Sequence, residues 1–455
     1  MHTSQITRHY GSLMRLGLPI MIGQLGIILV GFVDNIMVGH HSTPELAAAS
    51  FVNNFMNLAF IMGVGFSYGL TPLISSSYGA RDGQLMGLLK SSLIANGIIG
   101  ILLSLVMGIL WMHLEEFGQP EELLTYIRPY YLIQLSTILI TMLFNAFKQA
   151  ADGVERAADA MVVLLISNLI NIVLNYLLIY GKLGLPEWGL IGAGVATLVA
   201  RIFCLVALGG AILWGRRFRT LFTEAGGYRS RASRTHVGSL FRLGLPLSLQ
   251  MGVEAASFSL SVIMVGWLGS IALAAHQVMS VVSTLGFMLY YGLASAVTIR
   301  VSRYYEMHDY ESIRAVIRAG FRLLLLLAFS FVTLLILSRH SLGRIFTQDE
   351  EIIVTVSTLV WPMIFYQFGD VLQILFANTL RGLRDVKFMA VCACICHILV
   401  ALSLVYIFAF TMGWGVHGVW WAFPFSLTSL GLLLYLRYRT VMARLSKEGE
   451  LKPQE

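Results

Sequence analysis

The chain predicts an all-α integral membrane protein: twelve transmembrane helices in two six-helix bundles related by a pseudo-twofold axis along the membrane normal. Three observations carry that prediction. Apolar stretches of membrane-crossing length recur down the whole chain, basic residues segregate to alternate connections, and a nine-residue segment near the start returns 227 residues later.

Composition excludes a water-soluble fold. Of 455 residues, 57% are hydrophobic and 12% charged, against roughly 25% charged in an average soluble domain; mean hydropathy is +0.76. A helix crosses the hydrocarbon core in about 20 residues. Stretches of that length fall near 13–37, 47–71, 87–111, 126–148, 160–180, 189–213, 238–264, 274–299, 314–338, 351–377, 387–411 and 416–440.

The net charge of +7 would fit an acidic partner or a nucleic acid, but its distribution fits a bilayer better. Of the 31 Lys and Arg residues, 26 fall on one side of the twelve spans; only Arg128, Lys182, Arg339 and Arg344 fall on the other, and Arg201 lies within span 6. The positive-inside rule then places both termini in the cytoplasm. An odd number of spans would scramble the segregation, so the asymmetry also checks the count. Residues 1–10 are polar and lack a cleavable signal pattern, so span 1 is expected to be retained.

The duplication is explicit. GSLMRLGLP at 11–19 returns as GSLFRLGLP at 238–246, identical at eight of nine positions. The same shift carries IMVG at 36–39 onto 263–266 and Gly65 onto Gly292, and Trp188, Gly189 and Gly192 recur as Trp414, Gly415 and Gly418. Six spans per copy return the second copy to the membrane in the same orientation, which makes the repeats parallel. The expected organisation is an N-terminal lobe over 1–213, a polar Arg-rich cytoplasmic linker over 214–237, a C-terminal lobe over 238–440 and a cytoplasmic tail over 441–455. Two such bundles facing across an axis leave a cleft that rocking exposes to either side, a geometry that predicts transport.

Three acidic residues sit deep in the spans: Asp34 in span 1, Glu254 in span 7 and Asp370 in span 10. A carboxylate at mid-bilayer persists when it faces a cavity, is paired, or serves a relay. The three are not repeat copies of one another, since Asp34 maps to Ser261, Glu254 to Ile27 and Asp370 to about Thr141. Polar stripes accompany them. Asn168, Asn171 and Asn175 stand at i, i+3 and i+7 on span 5; Tyr366, Gln367, Asp370 and Gln373 share span 10; Gln250 precedes Glu254 by one turn; and Asn53, Asn54 and Asn57 mark span 2. Carboxylate and amide oxygens are the ligands a hard cation such as Na⁺ requires, and the same carboxyl groups can instead carry protons. The competing reading for the asparagines is interhelical hydrogen bonding that holds the bundle together.

Other residues leave two readings open. Arg201 either neutralises a neighbouring carboxylate or is hydrated through a water-filled cavity. Pro19 and Pro246, at matching repeat positions, either kink spans 1 and 7 or mark only their first turns. Cys204 stands alone, and Cys392, Cys394 and Cys396 point about 200° apart in succession, which fits buried small residues rather than a metal site or disulfide. His40, His41, His276, His397 and His417 are scattered, as expected of interfacial or packing roles.

The two six-span halves, Asp34 within GFVDNIMVG, Glu254, Asp370 and the ASFVNN run that follows span 1 together resemble the MATE family of multidrug and toxin extrusion transporters. The resemblance covers essentially the whole chain. Acids in spans 1, 7 and 10 together resemble the NorM-type branch, because the DinF-type branch generally lacks acids in its C-terminal lobe. The resemblance implies a C-lobe cation site at Glu254, Asp370 and Tyr366, and an N-lobe polar cluster at Asp34, Asn171 and Asn175. It also implies export of cationic, often aromatic drugs in exchange for Na⁺ or H⁺. Substrate contacts are expected at Asp34, Glu254 and Asp370, with Gln373 and Asn168 beside them. The expected partners are the lipid bilayer and small cationic drugs, with no nucleic acid, no transition metal and no cofactor beyond the coupling ion, in a monomer of the inner (plasma) membrane. A flippase for lipid-linked saccharides would need a cationic cavity and usually more helices. A membrane enzyme would need a nucleophile with a base, or metal ligands at helical spacing, and the chain shows neither.

Overall fold

The computed structural model describes residues 2–224 and 230–450; residues 225–229 of the expected linker and 451–455 of the expected tail lie outside the described residues. Those described form helices and short connections, with no strand among them. The first half comprises α1 (His2–His41), α2 (Thr43–Ser67), α3 (Leu70–Ala80), α4 (Leu85–Met112), α5 (Glu121–Gly153), α6 (Ala157–Ile179) and α7 (Gly189–Trp214), followed by a short α8 (Arg216–Glu224). The second half comprises α9 (Arg234–Gly266), α10 (Ser270–Glu306), α11 (Tyr310–Leu342), α12 (Glu350–Gly382), α13 (Val386–Cys394), α14 (Leu402–Tyr406) and α15 (Gly415–Glu450).

Among the described residues, twelve stretches are long and apolar enough to cross a membrane, and each coincides with a span read from the sequence. α2 and α3 make one of them, Thr43–Ala80, and α13 and α14 with their connecting turns make another, Val386–Thr411. Several helices outrun their apolar windows, because polar end turns continue a helix when its first amides are satisfied. Asp349 does this for α12, its Oδ1 accepting from the Glu351 amide at 2.9 Å. Asp309 likewise receives the Ser312 amide at 2.9 Å at the start of α11.

The chain divides into two compact units, Ile22–Ser248 and Met1–Met21 with Leu249–Glu455. The divisions fall inside α1 and α9, two residues after Pro19 and Pro246. Both prolines are therefore interior to their helices, which removes the first-turn reading; each deletes a backbone donor close to where its helix leaves one unit for the other.

Close packing beside these prolines explains why the repeated nonapeptide keeps its second glycine. A Cβ on Gly17 would stand 3.0 Å from the backbone of Leu293 in α10, and one on Gly244 would stand 2.7 Å from the carbonyl oxygen of Phe66 in α2. The 227-residue shift that relates Gly17 to Gly244 also relates Phe66 to Leu293, so the two contacts are copies of one another. Gly11 and Gly238, the first glycines of the same motif, meet nothing within 4 Å.

Within each unit the fourth span is central. α5 packs on α2, α4 and α7, and its repeat mate α12 packs on α10, α11 and α15. Trp420, Met363, Phe423 and Leu427 fill the core around α12. The eleventh span departs from the sequence expectation of a plain α-helix, because Ile395–Ala401 and Ile407–Thr411 are wound as π-helix. Neighbouring hydroxyls satisfy carbonyls in the first of these turns: Ser257 Oγ donates to the His397 oxygen and Ser426 Oγ to the Cys396 oxygen, each at 2.7 Å.

Candidate functional site

In the 22–248 unit, α1 delivers Asp34 against the asparagine stripe of α6. Asn175 Nδ2 donates to Asp34 Oδ1 at 2.5 Å and to Asn171 Oδ1 at 3.2 Å. Asn171 Nδ2 continues the chain to Thr197 Oγ1 at 3.4 Å. Asn171 and Asn175 are buried, while Asp34 keeps partial exposure. The stripe can approach α1 because glycines line the facing surface: a Cβ on Gly26 would meet Asn168 Nδ2 at 2.9 Å.

Asp34, Asn168, Asn171 and Thr197 line a cavity of about 460 Å³ together with Asn53 and Arg201. Arg201 makes no salt bridge among the described residues. Its Nη1 donates to Thr137 Oγ1 at 2.6 Å and Thr141 Oγ1 at 3.1 Å, and the centre of the Phe60 ring lies 4.3 Å from its guanidinium carbon. Further along α5, Gln134 Nε2 donates to Tyr130 Oη at 2.8 Å, and Tyr130 Oη donates to Asn53 Oδ1 at 3.3 Å.

The other unit holds the remaining two acids. Asp370 is 1% exposed, and its Oδ2 has no hydrogen-bond partner among the described residues. Glu254 on α9 acts on it electrostatically and receives Gln373 Nε2 at 3.4 Å. Oxygens of Gln367, Gln373 and Tyr290 are also buried without a partner, and Tyr290 and Tyr366 both feel the Asp370 charge. A buried polar atom without a partner forfeits its hydration, about 1–3 kcal/mol each. Gln367 and Gln373 share α12 with Asp370, and the Gln373 amide is the one side-chain donor that reaches Glu254 among the described residues. The cluster is deficient in positive charge, and its oxygen donor set suits a hard cation or protons.

The candidate residues stand in the two groups that the family resemblance implied. Asp34, Asn168, Asn171 and Asn175 lie together in the 22–248 unit; Glu254, Tyr366, Asp370 and Gln373 lie together in the other. Among the described residues, no Lys, Arg or His lies within salt-bridge distance of any of the three acids. Arg201 faces the cavity and makes no direct ion pair with a carboxylate among the described residues, while Asp34, which lines the same cavity, acts on it electrostatically, so both readings of Arg201 stand.

Sequence reasoning missed Thr137, Thr141, Thr197, Phe60, Tyr130 and Tyr290. A signal existed for most of them: Tyr130, Gln134, Thr137 and Thr141 recur at i, i+4, i+7 and i+11 on α5, and Thr197 precedes Arg201 by one turn. It also missed the role of His41, whose Nδ1 and Nε2 stand 2.9 Å from Glu45 Oε2 and Glu187 Oε1, tying the end of α1 to α2 and to the segment before α7.

An all-helical, duplicated chain of twelve membrane-length helices, with unpaired carboxylates inside those helices, belongs to the class of multi-pass membrane transporters. The profile of the MatE family matches residues 19–177 and 246–407, one segment in each repeat. The chain belongs to the MatE family. It is similar to the multidrug resistance protein NorM of Photobacterium profundum, 27% identical over 448 residues and covering 96% of each chain. It is similar also to the probable multidrug resistance protein NorM of Pasteurella multocida, 30% identical over 443 residues, covering 95% of this chain and 94% of that one. In fold it matches the eukaryotic MATE transporter AtDTX14 with a TM-score of 0.86 at 17% identity, over 97% of this chain and 100% of that one. A MATE structure in the bent conformation matches with a TM-score of 0.87 at 18% identity, over 98% of each chain. These relatives are transporters, and so is this chain; it is not an enzyme.

Proposed function

We propose that the chain is a secondary active multidrug efflux transporter that exports cationic amphipathic and aromatic compounds in exchange for Na⁺ or H⁺ by alternating access. It works as a monomer in the inner (plasma) membrane with both termini in the cytoplasm. The NorM relatives are named for multidrug resistance. The observation that carries the reading is the state of the acids: Asp34, Glu254 and Asp370 stand in membrane-spanning helices without a basic partner among the described residues.

Keeping an aspartate at the centre of a membrane helix costs about 2.5–3.5 kcal/mol. Arg201 acts on Asp34 without pairing with it, and no built-in cation pairs with any of the three acids among the described residues, so a mobile one offsets the cost. Glu254, Asp370 and Tyr366, with Gln373, hold the coupling ion in one unit, and Asp34, Asn171 and Asn175 form the polar site of the other. When the ion leaves, the exposed negative charge attracts an organic cation. Aromatic and methionine side chains then supply adaptable apolar and cation–π contacts, from which breadth of specificity follows. Exchange requires only that ion and drug prefer different states of the protein. Drug efflux from proteoliposomes under separately imposed Na⁺ and pH gradients tests this. Export driven by at least one gradient and abolished by Asp370→Asn is expected, and equal export without either gradient would refute it.

A further inference from the structure

We propose that α8 is a membrane-surface helix whose arginines, Arg216, Arg217 and Arg219, bind the anionic headgroups of bilayer lipids. Lipid binding of this kind goes beyond the efflux reading and does not depend on what the chain exports.

The chain itself puts these side chains at the bilayer. α7, the last span of the first repeat, ends at Trp214, and Gly215 follows with φ −66° and ψ 128°, an extended residue that ends the helix and redirects the chain. α8 then starts at Arg216, two residues beyond the span. Its sequence, RRFRTLFTE, is sorted by helical angle: Arg216, Arg219 and Thr220 stand at i, i+3 and i+4, with Arg217 at the edge of the same face, and Phe218 and Leu221 share the opposite one. The structure follows that sorting. Arg216, Arg217, Arg219 and Thr220 are exposed, Phe218 is buried and Leu221 is half-buried.

Phe218 is the anchor. α8 packs along α7, and the guanidinium carbon of Arg156, at the start of α6, lies 6.0 Å from the centre of the Phe218 ring. With that aromatic face held by the protein, the opposite face keeps its arginines turned outward. Their charge is not balanced locally: Arg156 Nε and Arg217 Nη1 share one carboxylate, Asp159, at 2.7 and 3.7 Å. Arg217 keeps 73% of its side chain exposed beside that contact, and Arg216 makes no salt bridge among the described residues. Trp214 points to the occupant. It is 79% exposed where a span ends, and an indole in that place belongs at the membrane interface. A lipid meets both features, because the boundary between acyl chain and headgroup covers the indole while the phosphate takes the guanidinium forks. α8 opens the linker between the repeats, so headgroup binding fixes that end of the linker at the membrane surface.

Each arginine near an anionic membrane surface strengthens binding about fivefold, so the test compares lipids that differ in headgroup charge. The full chain, purified in detergent, is titrated with phosphatidylglycerol and with phosphatidylcholine, and the dissociation constant of the first bound lipid is read by native mass spectrometry. Wild type prefers phosphatidylglycerol by about tenfold or more. Combining Arg216→Gln, Arg217→Gln and Arg219→Gln reduces that preference by about tenfold, whereas Lys at the same three positions keeps the charge without the fork and falls between. If the triple Gln variant does not fold, Arg216→Gln with Arg219→Gln leaves the contact of Arg217 with Asp159 in place and still lowers the preference several-fold. Equal affinity of wild type for the two lipids, an unchanged preference in the Gln variants, or displacement of phosphatidylglycerol by a short DNA duplex overturns the proposal.

Discussion

Asn175 donates to Asp34 across 2.5 Å from a position with no solvent exposure, while its own Oδ1 stays without a partner. The asparagine amide holds the carboxylate in place. A hydrogen bond to a charged group contributes about 1.5–3 kcal/mol. Asn175→Ala therefore lowers drug export several-fold and Asp34→Asn at least tenfold, both at wild-type levels of membrane insertion. Normal export by Asp34→Asn in an efflux assay would contradict this.

The glycines of the repeated motif make an internally controlled prediction. Gly17→Ala and Gly244→Ala each force a methyl against backbone of another helix, whereas Gly11→Ala and Gly238→Ala meet open space. Overpacking of this kind costs about 1–3 kcal/mol. The first pair lowers the thermal midpoint of the purified protein by several degrees and the second pair leaves it unchanged or slightly raised. Equal midpoints for all four variants would show that the close approach at Gly17 and Gly244 does not contribute to stability.

Much of this was legible in the sequence. Spans are readable because the bilayer dictates their length, and Asp34, Glu254 and Asp370 stand out because charge is costly there. The stripe at Asn168, Asn171 and Asn175 carried its helical spacing openly. Helical spacing alone did not pair a stripe with an acid; only the family resemblance grouped Asp34 with Asn171 and Asn175. Thr137, Thr141 and Thr197 are ordinary in a membrane helix, since a threonine there can satisfy its hydroxyl on its own backbone, and only packing reveals that two of them hold Arg201. The division of the chain inside α1 and α9 was likewise hidden, because helical periodicity runs unbroken through Pro19 and Pro246. The π-helical turns of the eleventh span carry no proline or glycine to announce them.

The first of those turns, Ile395–Ala401, receives hydroxyls from neighbouring helices. Ser257→Ala and Ser426→Ala each remove a donor, to the carbonyls of His397 and Cys396 respectively, and cost about 1 kcal/mol. Chemical or thermal denaturation resolves that loss. Unchanged stability in the double variant would mean the widened turn satisfies its carbonyls in another way.

Tyr290 separates ion binding from folding. Its hydroxyl is fully buried, lacks a partner and feels the Asp370 charge. Removing an unsatisfied hydroxyl costs little stability, so Tyr290→Phe melts at or above the wild-type temperature while its affinity for the coupling cation falls several-fold. Unaltered cation affinity in a titration would remove Tyr290 from the site.

The most direct measurement is competition at equilibrium. Binding of an organic cation to the purified chain is titrated against Na⁺ at fixed pH, and against pH at fixed Na⁺, in wild type and in Asp370→Asn. If buried negative charge is neutralised in turn by ion and drug, at least one of the two titrants weakens drug binding in wild type, by the reciprocal factor that linkage demands, and Asp370→Asn abolishes the effect. Drug and cation binding independently in wild type, or competing equally well in Asp370→Asn, would contradict the account.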